Sequence, residues 1–70
     1  MDPNAAWKEL SELFKSSAER DWDRIGELAD GLLHWLKRDG FPPTITGIRE
    51  FDRIVATRAL EAIVDWEVAV

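Results

Sequence analysis

Seventy residues make one domain, and a chain this short buries only about 60% of the surface its unfolded form exposes, so stability is marginal without help. With no Cys and one His, neither a disulfide nor a Cys/His metal cluster supplies that help; four Trp, three Phe and oligomerisation remain. Nine basic against fourteen acidic residues leave a charge of −5, which argues against nucleic acid or anionic membrane as partner, since no basic stripe exists to displace counterions.

Asp2-Pro3 suits a helix start, an N-cap followed by proline at the first helical position. Ala6, Trp7, Leu10, Leu13 and Phe14 then build one apolar face, with Lys8, Glu9, Glu12 and Lys15 covering the other side. The pattern weakens across Ser16 to Arg20, where a tight turn between helices is expected. The stretch from Asp21 to Pro43 reads as a complete amphipathic helix with its own start and stop. Asp21 is the cap, and Asp23 adds negative charge to the first turn. Trp22, Ile25, Leu28, Ala29, Leu32, Leu33 and Leu36 form its stripe. Lys37 and Arg38 complement the C-terminal dipole, Gly40 offers the left-handed residue, Phe41 folds back onto Leu36, and Pro42-Pro43 forbid continuation.

After that loop, Thr46 or Gly47 caps a third helix, with Glu50 placed for a weak capping box. Its primary face is Ile48, Phe51, Val55, Ala59, Ala62, Trp66 and Ala69. The β-branched residues Ile63, Val64 and Val68 would also suit a strand, but the helical period through Trp66 outweighs that reading. The fold expected is all-α, a three-helix up-down-up bundle with helices at about 3–18, 21–39 and 47–69. Trp7, Trp35, Phe41 and Phe51 should gather at one end, and Trp22 and Trp66 at the other.

Two resemblances attach to these stretches. Trp7-x-x-Leu10-x-x-x-Phe14 followed by Asp21-Trp22-Asp23-Arg24-Ile25 resembles a single tetratricopeptide hairpin, spanning residues 7–36. Ser11 stands where that repeat prefers glycine. The likeness implies hairpin geometry alone: with no second copy there is no concave groove, and peptide binding is not implied. The run from Trp35 to Pro43 resembles small bacterial and phage proteins with a WLxxxGFPP-like helix ending. That resemblance implies a free-standing small protein and nothing sharper.

No set of residues here specifies a chemistry, so neither an enzyme nor a cofactor is expected. Asp23, Glu27, Asp30 and His34 align on one side of the second helix and have the residue types of a divalent-metal site. The row lies opposite the apolar stripe, where an amphipathic helix places its solvated residues, so no metal is expected there. His34 has no Ser, Cys or Lys at a catalytic spacing, and Ser16 and Ser17 read as turn formers. Arg49, Arg53 and Arg58 are interleaved with acids and read as solvated or paired. The opening stretch lacks a positive region followed by an apolar run, so no signal peptide is expected. The apolar-rich end, 59–70, is interrupted by Glu61, Asp65 and Glu67 and is too short to span a bilayer. A cytoplasmic location is the expectation.

The anomaly lies on the third helix. Leu60, Val64 and Val68, with Thr57 one turn before, form a second stripe opposite the primary face. In a lone bundle it would lie in water, and contiguous apolar strips of that kind mark interfaces. The expectation is a small acidic interaction module that forms a homo-oligomer through Thr57, Leu60, Val64 and Val68. On this reading Val64→Glu lowers the oligomeric mass, whereas Val55→Glu destroys the fold. The alternative is a monomeric adaptor or inhibitor docking on a foreign protein.

Overall fold

The computed structural model describes residues 1–16 and 21–69, and of 67–69 the backbone alone. It contains three helices: α1 (Pro3–Lys15), α2 (Trp22–Lys37) and α3 (Arg49–Ala69). Each of the first two starts as its sequence dictates. Asp2 accepts from the backbone N–H of Asn4 and Ala5 at 3.0 and 3.2 Å, and Asp21 accepts from that of Arg24 at 3.1 Å. These bonds satisfy amides that a helix start leaves without partners. α1 stops three residues short of the expected boundary because Ser16 turns to extended backbone. The rest of the expected turn, 17–20, lies outside the described residues.

The three helices form an up-down-up bundle in which α2 is the central element. It packs on both neighbours, whereas α1 and α3 make no close backbone contact with each other. Ile25, Ala29, Leu32, Leu33 and Leu36 of α2 are buried together with Leu10, Ala56 and Leu60. Five of these eight core residues come from the one stripe that the sequence shows most clearly. At the α1–α3 seam the bundle stays open as a groove of about 310 Å³, lined by Trp7, Leu10, Ser11, Phe14, Ala59 and Ile63.

The α2–α3 connection is tied down on all sides. Arg38, Asp39 and Gly40 close α2 through hydrogen bonds to His34 O, Leu36 O and Trp35 O. The last two bonds make a Schellman ending. The residue in the left-handed region is Asp39, with φ 62°, and not the expected Gly40. Gly40 is required for a different reason: the Trp35 indole lies where its side chain would be. Trp35 Nε1 donates to Phe41 O at 2.9 Å, and the Phe41 ring meets Trp35 edge-on at 5.7 Å. Pro42 and Pro43 are buried, so they seal the core as well as stopping the helix. Thr44 N–H donates to Asn4 Oδ1 at 2.7 Å, which fastens the loop to the start of α1.

Candidate functional site

The start of α3 decides which of its faces is free. Asp52 is only 3% exposed, and its Oδ1 accepts from both the backbone N–H and the hydroxyl of Thr46, each at 2.6 Å. Thr46 Oγ1 in turn accepts from Ile48 N–H at 3.2 Å. The acid that answers Thr46 is therefore Asp52 and not Glu50. The next residue, Arg53, donates to Leu36 O at 3.0 Å and Gly40 O at 2.8 Å. Leu36 O, in the last turn of α2, also accepts from Asp39 N–H, and Gly40 O belongs to the loop that follows. Arg53 is thus an inter-helix clamp and not a solvated surface charge.

With Asp52 and Arg53 turned inward, α3 is rotated by roughly a quarter-turn from the face expected, at 100° per residue. Its buried side is Asp52, Ala56 and Leu60, with Ile63 and Val64 packed against the core. This corrects the stripe read from the sequence. Leu60 is fully buried within its own chain, Val64 and Thr57 are half-buried, and the side chain of Val68 lies outside the described residues. A side chain with no exposed surface in the protomer offers nothing for another chain to cover.

The expected core face faces water instead. Ile48 is 60% exposed, Phe51 53% and Trp66 49%, while Val55 and Ala59 are half-buried and Ala62 is exposed. Ile54 is 60% exposed as well. With Phe41 and Ile45 of the loop, Ile48, Phe51 and Ile54 give residues 41–54 five exposed large apolar side chains. Their backbone is held by the Asn4, Asp52, Arg53 and Trp35 bonds described above, so the patch is presented on a fixed frame. At the opposite end Trp22 meets Trp66 edge-on at 4.7 Å and Phe14 at 6.0 Å, which places Trp22 and Trp66 together as expected. Phe51 does not join Trp35 and Phe41, because the rotation of α3 turns it outward.

The polar clusters have structural duties. Arg24 spans from α2 to α1, with Nε 2.8 Å and Nη2 3.2 Å from the two oxygens of Glu9, and Nη1 reaches Glu27 at 3.2 Å. His34 Nδ1 sits 2.8 Å from Asp30 O and 3.5 Å from its carboxylate. Among the described residues no three His, Asp or Glu side chains converge to hold a metal ion. In the α1–α3 groove the Ser11 hydroxyl donates to Trp7 O at 2.8 Å, and no base is among the described residues that line it. Among the described residues no helix is long and apolar enough to cross a membrane. No family model, curated protein or solved structure matches this chain.

Two carboxylates carry a pH dependence. The Thr46 hydroxyl holds Asp52 below the usual carboxylate range, assisted by backbone N–H groups and opposed by burial. The hydrogen bond from Arg24 does the same for Glu9, again against partial desolvation. A pKa depressed in the folded state contributes stability that is complete above the unfolded value, about 4, and is lost as pH falls through the lower folded value. Thermal melts should thus be flat from pH 7 to about 5 and then fall steeply. Asp52→Asn should lower the melting temperature at pH 7 and make the acid decline shallower. An unchanged acid profile in Asp52→Asn would remove Asp52 from this account.

Proposed function

We propose that this chain is a small acidic, non-enzymatic interaction module of the cytoplasm that self-associates through the outward face of α3. The observation behind it is the cluster of Phe41, Ile45, Ile48, Phe51 and Ile54, exposed by between 37% and 60% on a tied-down backbone. Single exposed apolar residues are ordinary, but five large ones within fourteen residues of so small a chain mark a contact surface. Its modest extent fits a weak, concentration-dependent association, since small interfaces belong to transient complexes. The homo-oligomer expected from the sequence is therefore kept, with its contact moved from Leu60 and Val64 to Ile48, Phe51 and Ile54.

Light scattering across a concentration series tests this. The mass should rise from that of one chain toward two, and Phe51→Glu should return it to one chain with native circular dichroism. A charge at an exposed site costs the protomer little, whereas its desolvation in a contact costs several kcal/mol. A mass of one chain at every concentration would overturn self-association. That result would favour a monomeric adaptor, for which the open α1–α3 groove and its Trp7, Leu10, Phe14 and Ile63 lining provide a seat for an apolar helix of a foreign protein.

A further inference from the structure

Two of the charges on the outward face of α3 flank one residue evenly, while Glu61 and Asp65 lie further along the same face. Glu50 and Arg58 lie four residues before and four after Ile54. On a helix each is therefore about 6 Å along the axis from Ile54 and about 40° around it, to opposite sides. Both are exposed, and neither has an ion-pair partner among the described residues. In an antiparallel pair centred on Ile54, position 50 of one copy therefore comes to the axial level of position 58 of the other.

Resting on the self-association reading, we infer that the occupant of this face is a second copy of the chain, paired antiparallel across a two-fold axis at Ile54. Glu50 of each copy then meets Arg58 of the other, twice over. Ile54 packs on Ile54, and Phe51 covers the stem of Thr57 in the partner copy. Parallel pairing in register would set Glu50 beside Glu50 and Arg58 beside Arg58, and like charges so placed repel. The antiparallel pair is also closed: the same patch serves both copies, so association ends at two. Because the ion pairs sit at the rim, they fix orientation more than they add affinity.

The absence of cysteine makes the test clean, since Ile54→Cys introduces the chain's one thiol. Helices packed at 8–10 Å, with Cα atoms about 2.3 Å from each axis, bring the two position-54 Cα atoms to roughly 3.4–5.4 Å at closest approach. That range overlaps the separation a disulfide needs. Ile54→Cys should form a covalent dimer under mild oxidation, much faster than Asp30→Cys on the exposed side of α2. Glu50→Arg and Arg58→Glu should each raise the dimer Kd by about tenfold, and the double exchange should restore it. A chain that stays monomeric would overturn the self-association reading and this pairing with it. A dimer in which Ile54→Cys links no faster than Asp30→Cys, or in which the double exchange is no better than the single variants, would overturn the antiparallel pairing alone.

Discussion

Leu60→Glu is expected to unfold the protein, whereas Ile54→Glu leaves its helicity near native. Leu60 is fully buried among residues that include Leu10, Ile25 and Leu32, and no described group in that cluster is polar. A lone carboxylate placed there costs several kcal/mol even after relaxation. The whole stability of a 70-residue domain is of order 3.5–10 kcal/mol, at 0.05–0.15 kcal/mol per residue. The charge therefore removes most or all of it. Leu60→Ala is the milder version, at about 2–5 kcal/mol for the lost contacts and the cavity left behind. Ile54, at 60% exposure, keeps any charge in water, and Glu is a good helix former. Urea melts followed by circular dichroism make the comparison. A Leu60→Glu chain that keeps its helicity and merely loses oligomeric mass would return Leu60 to the interface and refute the rotation of α3.

That rotation marks the limit of what was legible in the residues. α2 could be read almost completely, because its apolar residues occupy one side only and its cap and stop signals agree with them. Ile25, Ala29, Leu32, Leu33 and Leu36 are all buried, and Asp21 caps as its position implies. α1 was equally plain up to Ser16. α3 is different, since Ile48, Phe51, Ile54, Val55, Leu60, Ile63 and Val64 point in nearly every direction around it. Periodicity then fixes that a helix exists without fixing which side is inward. Two polar residues choose the side. Asp52 is drawn in by the amide and hydroxyl of Thr46, and Arg53 by the carbonyls of Leu36 and Gly40. Their signal lay in the chain as an Asp six residues beyond Thr46, followed by an Arg. Nothing in local spacing showed that α2 would end within reach. The exposed face, and with it the candidate contact surface, follows from a long-range polar choice that a hydrophobic pattern does not record.

Gly40→Ala should cost about 2–4 kcal/mol, although a single methyl at a helix ending is ordinarily a small change. Were Gly40 the left-handed residue of the Schellman ending, the cost would be backbone strain. The residue that carries positive φ is Asp39, so backbone strain lies one position earlier. At Gly40 the new methyl would overlap the Trp35 indole. The ring would have to leave, and with it would go the Nε1–H bond to Phe41 O and the edge-on contact with the Phe41 ring. An overpacked site and a lost aromatic pair each cost roughly 1 kcal/mol or more, and the freed Phe41 carbonyl turns to water. The loop whose carbonyl at Gly40 holds Arg53 would shift too. Asp39→Gly should act in the opposite direction and stabilise by up to about 1 kcal/mol, because glycine enters the left-handed region without a Cβ penalty. The decisive measurement is a double-mutant cycle. If the indole is what Gly40 makes room for, Gly40→Ala should cost little in a Trp35→Ala background, and the two changes should be strongly non-additive. Additive costs would mean that the glycine serves the backbone and that the packing of Trp35 over Gly40 contributes nothing to stability.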